Sequence, residues 1–136
     1  EDGEFNEYDI NKNLVLSGMY KNGMRVGYWI YHVNDHKEEG NYLNGERDGK
    51  WVFWYTAKQK MFEGDFSFGQ KEGAHKTWYS NGILKSSGKY NGDVKNGKWR
   101  YFEINGLLDH THLYKFGKLW KVDGRRVARK RDSSRN

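Results

Sequence analysis

Aromatic residues recur at a regular spacing along the chain, each close to a glycine. A glycine followed two residues later by Tyr or Phe opens four units, at Gly18, Gly40, Gly64 and Gly88, so one unit is 22 to 24 residues long. A second glycine follows nine residues after the first, and three of the four units have a Trp two residues further on. A short fixed period of this kind indicates stacked units that bury apolar surface only together. The chain is therefore predicted to be a repeat protein.

Within each unit, the pattern predicts two antiparallel strands. Aromatic and β-branched residues alternate with polar ones over short runs bounded by glycine-containing turns. In the fourth unit, Trp99 and Tyr101 are expected to share one strand face, and Asn105-Gly106 to supply the positive backbone angles of a tight turn. A second turn, such as Asn44-Gly45, lies between the first and second glycines of each unit. We therefore predict an all-β fold, an elongated single-layer antiparallel sheet of successive hairpins with about ten strands.

The first glycine of each unit is predicted to make room for the tryptophan. It falls on the strand that faces the one carrying the indole, and a missing side chain leaves space for a large ring. Aromatic packing over glycine recovers the strand stability that glycine otherwise costs. The structural positions predicted in this way are Gly18, Gly40, Gly64, Gly88, Trp29, Trp51 and Trp99.

The repeats and the charge distribution set the expected domain boundaries. Residues 1–124 form one predicted repeat domain, with degenerate end units at 1–17 and 113–124, because terminal units of an array are usually atypical. Residues 125–136 hold six basic residues and one acid, which is +5 of the net charge of +6. This segment is predicted to be a basic, mobile tail. Its cations form a candidate contact for an anionic surface, namely Arg125, Arg126, Arg129, Lys130 and Arg131.

Composition narrows the chemistry further. Aromatic residues make up 17% of the 136 residues, so most of the apolar surface to be buried is ring surface. The absence of Cys excludes disulfides, thiolate metal sites and a cysteine nucleophile. The chain has no apolar run of about 18 residues that would predict a membrane-spanning helix. Its start is acidic and polar, so any signal peptide is expected to have been removed.

The repeat unit resembles the MORN repeat, and more narrowly its bacterial variant. Residues 40–51, GNYLNGERDGKW, carry the resemblance, and residues 97–101 and 105–108 match the continuation of the bacterial form. It extends directly from Gly18 to His112. The resemblance implies a single-layer sheet of hairpins that serves as a scaffold for other proteins, and some members are associated with anionic lipids. Because bacterial variants are often exported or lipid-anchored, a periplasmic or outer-membrane-associated location is favoured over the cytoplasm.

The third unit departs from the pattern and is the first candidate site. His75 stands where other units have Trp, and Thr77 replaces the next aromatic residue, so the ladder of rings is expected to be interrupted there. Trp78 has the opposite parity along the strand and is expected to project from the other face. Two interpretations follow: local drift that packing compensates, or a partner-binding patch of His75, Lys76 and Trp78.

Neither a metal site nor an active site is predicted. Asp109, His110 and His112 place two imidazoles on one side of a strand, but a zinc site needs three or four protein ligands, so these are expected to be surface histidines. We find no nucleophile with a base, no carboxylate pair in a cleft and no phosphate-binding loop. We therefore expect that the chain is not an enzyme and that it binds no cofactor, metal or small-molecule substrate.

The function predicted from the sequence is a non-enzymatic protein-interaction scaffold, or a subunit of a larger assembly, that binds through a sheet face or a strand edge. The alternative is a module that docks on anionic lipid or glycan through the basic tail and exposed aromatic residues. Nucleic acid is not the expected partner, because the rings recur with the regularity that core packing requires. A protein partner is therefore the first expectation, and an anionic membrane or glycan the second.

Overall fold

The described residues form one open antiparallel sheet. The computed structural model describes residues 2–9, 14–33, 36–123 and 125–126. Twelve strands follow one another in chain order, each bonded to its sequence neighbours. They are β1 Gly3–Tyr8, β2 Leu14–Lys21, β3 Met24–Val33, β4 His36–Leu43, β5 Glu46–Trp54, β6 Lys60–Ser67, β7 Gln70–Trp78, β8 Leu84–Asn91, β9 Val94–Phe102, β10 Leu108–Lys115, β11 Lys118–Val122 and β12 Arg125–Arg126. The predicted fold class, a single-layer sheet of successive hairpins, is confirmed.

The strand count exceeds the predicted value of about ten because both ends of the chain add strands to the sheet. At the beginning of the sheet β1 pairs with β2, and toward its end β11 pairs with β10. The sheet also continues past the boundary expected at residue 124, since Val122 pairs with Arg125 and Lys121 with Arg126. The other candidate tail cations, Arg129, Lys130 and Arg131, lie outside the described residues. No helix in the described ranges is long and apolar enough to cross a membrane.

The turns between the first and second glycines of each unit place two consecutive residues in the left-handed region. In the first, Asn22 has φ 53° and Gly23 has φ 76°. The third uses Phe68 and Gly69, with φ values of 51° and 77°. Two positive φ angles give a two-residue turn whose twist matches the right-handed twist of the flanking strands. Each of these turns therefore fixes the register in which the two strands that it joins pair with each other.

The turn inside the fourth unit differs from the prediction for Asn105-Gly106. Only Gly106 has a positive φ, of 93°, and its N–H donates to the Glu103 carbonyl at 2.8 Å. Asn105 acts through its side chain, because its Oδ1 accepts the Leu107 N–H at 3.1 Å. The loop is therefore one residue longer than the predicted two-residue turn, and asparagine contributes a hydrogen-bond acceptor instead of a left-handed backbone.

The second glycine of each unit forms a β-bulge. Ser17 pairs with Ile30 and Met19 with Val26, so three residues of β3 stand opposite Gly18. Gly27, one of the three, has φ +70°, a conformation that residues with a Cβ rarely adopt. The same register shift recurs in the other long hairpins, at Gly49, Gly73 and Gly97.

Indole rings resting on glycine form the buried core. Trp29 and Trp51 have an exposed fraction of 0%, and Trp99 of 4%. A Cβ added to Gly88 would lie 2.0 Å from Cδ2 of Trp99, a distance that no side chain tolerates. The Trp99 ring N–H also donates to the Lys89 carbonyl at 3.0 Å, so the indole is held by a hydrogen bond as well as by packing.

A side chain at Gly88 should therefore displace the indole. We expect Gly88→Val to lower the free energy of unfolding by about 1 to 3 kcal/mol, the usual cost of overpacking. Chemical denaturation followed by tryptophan fluorescence measures it. Ser87→Val puts the same side chain at the next position, on the other face of the strand, and should change stability by less than about 0.5 kcal/mol. Equal stability of the two variants would contradict the assigned role of the glycine.

Candidate functional site

One face of the sheet, here called the ring face, carries three rows of side chains that run across the strands. The middle row consists of the indoles on their glycines. A row on one side, called the outer ring row, follows direct cross-strand pairs. Its members are Leu16, Tyr31, Glu38, Phe53, Phe62, Thr77, Ser86, Tyr101 and His110. The row on the other side, called the cation row, alternates aromatic with basic residues.

His75 takes the place of an indole in the middle row. Its exposed fraction is 3%, and a Cβ on Gly64 would lie 2.4 Å from its Nδ1. Its Nε2–H donates to the Asp65 carbonyl at 2.8 Å, as the Trp51 ring N–H donates to the Asn41 carbonyl at 2.9 Å. The middle row therefore continues through His75, contrary to the interruption expected there from the sequence.

The environment of His75 favours the neutral ring. Because Nε2 carries the proton that bonds a carbonyl, Nδ1 is left as an acceptor, and it has no partner among the described residues. Burial is the main cause that lowers the pKa of His75 below its ordinary value, and the nearby charge of Lys71 lowers it further. Protonation would place a charge beneath the rings, where little water reaches it.

Cations lie over the rings at a fixed position in every unit. Each stands two residues before the second glycine of its unit, a signal that was present in the sequence but was not used in predicting the site. The Arg47 guanidinium carbon lies 4.5 Å from the centre of the Trp51 ring, and the Lys95 Nζ lies 4.9 Å from that of Trp99. Such cation–π contacts each contribute about 0.5 to 1 kcal/mol at exposed sites. The four cations of this row are Arg25, Arg47, Lys71 and Lys95.

Two small residues interrupt the outer ring row. Phe62 pairs with Thr77, Thr77 with Ser86, and Ser86 with Tyr101, so the gap between the two aromatic residues is two strands wide. The gap opens a cavity of about 280 Å³, here called the notch. Thr77 Oγ1 and Ser86 Oγ share a hydrogen bond of 2.5 Å on its floor. The residues that line it are Phe62, Lys71, His75, Thr77, Ser86, Tyr90, Lys95, Trp99 and Tyr101.

The structure does not bring the predicted patch of His75, Lys76 and Trp78 together. His75 lies beneath the ring face, whereas Lys76 is exposed and Trp78 half-buried on the opposite face, here called the polar face. Trp78 lies beside Lys60, whose Nζ is 5.9 Å from the ring centre. A single partner surface cannot include all three side chains. The binding roles of Lys76 and Trp78 stay predictions.

Ion pairs occupy the part of the polar face that β3 to β6 form. Glu63 accepts a hydrogen bond from Lys60 at 2.5 Å and lies 3.7 Å from the Lys50 Nζ. The Lys60 bond is the main cause that lowers the pKa of Glu63. Burial alone would raise the pKa of Glu39, but hydrogen bonds from neighbours that include Tyr28 and Lys37 lower it overall. Both carboxylates are therefore held ionised and paired.

The part of the polar face that β7 to β9 form is basic. Four cations, here called the basic patch, surround a depression of about 470 Å³ above Gly88 and Gly97. No acidic residue lines this depression, and within the described ranges none of the four cations is in an ion pair. The patch consists of Lys76, Lys89, Lys98 and Arg100. The charge of Lys76 is partly offset, because Lys76 pairs across the strands with Glu63 and helps to lower the pKa of that carboxyl group.

The histidine pair of β10 belongs to the aromatic packing. The His110 ring stacks on Tyr101 with 4.6 Å between centroids, and His112 meets the same tyrosine at 5.1 Å. His110 also lies 2.9 Å from the Asp109 carboxylate. Among the residues that the structure describes, no three His, Asp or Glu side chains form a group suited to a metal ion.

Comparison with known proteins leaves the chain without an assigned relative. No protein-family model matches it, and no curated protein matches it.

The burial of neutral His75 predicts a pH dependence of stability. Its pKa is lowered in the native state from an unfolded value of about 6.5, so the unfolded chain binds the proton more tightly. Its contribution to stability is complete above the unfolded pKa and is lost as the pH falls from there toward the native pKa. We expect His75→Trp, which restores the residue of the other units, to flatten the fall in unfolding free energy between pH 7.5 and 5.

Chemical denaturation at a series of pH values measures this slope. Thr77→Val is the matched control, because it changes a neighbour of His75 on the same strand without adding or removing a titratable group. It should keep the slope of the wild-type protein. A full wild-type slope in His75→Trp would show that the pH dependence comes from other groups.

Proposed function

We propose that this chain is a non-enzymatic protein-interaction module, a scaffold or a subunit of a larger assembly, whose partner binds to the ring face. The observation that carries the proposal is the notch, because it leaves ring surface open in a face whose other rings pack against one another. The cations Lys71 and Lys95 line this opening. Aromatic residues on an accessible concave surface are typical of the centres of protein interfaces.

The asymmetry of the two faces supports the ring face over the polar face or a strand edge. A single-layer sheet has no second layer to cover its apolar side, and Tyr31, Tyr42, Phe53 and Phe62 are only half-buried. On the polar face, by contrast, charged pairs such as Lys37 with Glu39 already interact with each other and with water. A partner that covers the ring face would therefore remove more apolar surface from water than a partner that covers the polar face.

The state of the titratable groups is consistent with a role other than catalysis. The carboxylates of Glu39 and Glu63 have lowered pKa values and are ion-paired, which suits neither a general acid nor a base near neutral pH. His75 uses its ring N–H to bond a backbone carbonyl beneath the rings. We therefore propose binding without a reaction.

We also propose that the chain is a MORN-repeat protein of the bacterial type. This proposal is supported by the structure of the unit, in which each position of the motif has a defined structural role. The first glycine lies under the ring, as Gly40 does under Trp51, and the second glycine forms the bulge, as Gly49 does. The motif therefore describes a physical unit, and the sequence resemblance and the fold are consistent.

A second candidate function is docking on an anionic lipid or glycan. The observation that favours it is the basic patch, a depression lined by four cations and by no acidic residue. The predicted tail cations would add to its field. Binding of this kind weakens steeply as ionic strength rises, whereas a ring-face interface should largely survive in salt.

Affinity capture from the native source, read by mass spectrometry, separates the two functions. The bait is the full chain, compared with Lys71→Glu/Lys95→Glu on the ring face and Lys89→Glu/Lys98→Glu on the polar face. We expect one protein partner to be lost with the ring-face pair and kept with the polar-face pair, because each pair reverses two charges on one face only. Deletion of residues 125–136 should leave this partner bound.

The opposite pattern would contradict the proposal. A partner or an anionic vesicle that is lost with the polar-face pair, and with rising salt, would establish the second function. Near-ultraviolet circular dichroism of each variant checks that the rings keep their packing, so that loss of binding is not loss of fold.

A further inference from the structure

We propose that the notch is an anchor pocket for one aromatic side chain on an acidic, extended segment of the partner. The proposal rests on the ring face being the binding face, and it specifies the partner chemistry that this face would recognise. Shape, wall chemistry and charge each contribute a separate argument.

The shape of the notch is that of a missing ring. In the other units, the residue two positions after the middle-row ring is aromatic, at Tyr31, Phe53 and Tyr101, while the third unit has Thr77. The next residue in the outer ring row is Ser86, so the gap holds two small side chains between Phe62 and Tyr101. A ring from a partner would stand where the chain's own ring is absent and would continue the row.

The walls of the notch suit a hydrocarbon ring better than a sugar. The surfaces around it are mostly the faces and edges of aromatic rings, including Tyr90 and Trp99. The two hydroxyls of its floor, those of Thr77 and Ser86, are already bonded to each other. A sugar needs several free donors and acceptors, whereas an aromatic side chain gains from edge and face contacts with rings.

The charges around the notch indicate carboxylates on the partner. In the described part of the chain, neither Lys71 nor Lys95 forms an ion pair, whereas Arg47 in the same row lies 3.5 Å from the Glu38 carboxylate. The Lys71 Nζ lies above Tyr90, and the Lys95 Nζ donates to the Tyr101 hydroxyl at 3.0 Å. Two ammonium groups without an ion-pair partner at the rim of an apolar cavity favour an acidic segment.

Strand geometry sets the spacing of the partner's residues. Lys71 is on β7 and Lys95 on β9, two strand spacings or about 10 Å apart across the sheet. Lys95 is level with Gly73, so the two lysines are also offset by two residues, or about 7 Å, along the strands. In an extended segment, every second side chain points to the same side. A ring at one position with carboxylates two residues before and after it therefore presents all three groups to the sheet. The probe that follows is acetyl-Glu-Ser-Phe-Ser-Glu-amide.

Titration of the full chain with this peptide, followed by nuclear magnetic resonance, tests the inference. We expect saturable shift changes centred on Thr77, Ser86 and Tyr101, weakened by rising salt. Replacing Phe by Ala in the peptide should abolish them, and replacing both Glu by Lys should reduce them at least tenfold in affinity. Equal binding of the Ala peptide would overturn the anchor, and equal binding of phenylacetate would favour a small ligand over a partner segment.

Filling the notch from within gives a sharper test. Thr77→Phe restores the ring that the other units carry, so the fold should be at least as resistant to heat as the wild-type protein while peptide binding is lost. Thr77→Val is the matched control, because it removes the hydroxyl but leaves the notch open, and it should keep the affinity. Undiminished peptide binding by Thr77→Phe would overturn the proposal.

Failure of this inference is distinguishable from failure of the proposed function. If the native partner is captured equally by Thr77→Phe and by the wild-type chain, but is lost with Lys71→Glu/Lys95→Glu, the ring face binds without using the notch. If neither ring-face change affects capture, the ring face is not the interface, and both proposals fail.

Discussion

The sheet depends on a flat ring that lies on a glycine of the facing strand. A single-layer sheet has no second layer against which to bury apolar side chains, and in this chain the middle-row ring is buried against the backbone of the neighbouring strand instead. The β-bulge at the second glycine places the ring over the first glycine. The ring N–H donates to a carbonyl next to that glycine, as Trp51 does to Asn41. Packing and hydrogen bonding therefore coincide in one contact per unit, and the turns and strands are arranged around it.

The third unit shows what this contact requires. His75 is smaller than an indole, yet it keeps both a flat ring over Gly64 and an N–H directed at the Asp65 carbonyl. The substitution preserves the contact but introduces a titratable group beneath the rings. It also removes ring volume next to Thr77 and Ser86. The histidine and the notch are therefore two consequences of the same local reduction in aromatic surface.

The sequence predicted the strands and the glycine positions because both are set by short-range periodicity. It did not predict the notch, because Thr77 and Ser86 become neighbours only through the pairing of β7 with β8. The interruption of the ring ladder expected at His75 is absent, since a position that looks like a break in the pattern is filled by a smaller ring with the same hydrogen bond. Asn105-Gly106 was misassigned because asparagine suits a left-handed turn and a side-chain acceptor equally well.

The first glycine of each unit is not free to acquire binding chemistry, because a side chain at a position such as Gly88 would displace the ring above it. Binding is therefore expected where the chain departs from the repeat pattern. Strands β7 to β9 depart from it on both faces. On the ring face they hold the notch with Lys71 and Lys95, and on the polar face they hold the basic patch. The two candidate sites lie back to back across one layer of backbone. A partner on one face and an anionic surface on the other would not compete for space, so a charge change on one face tests that face alone.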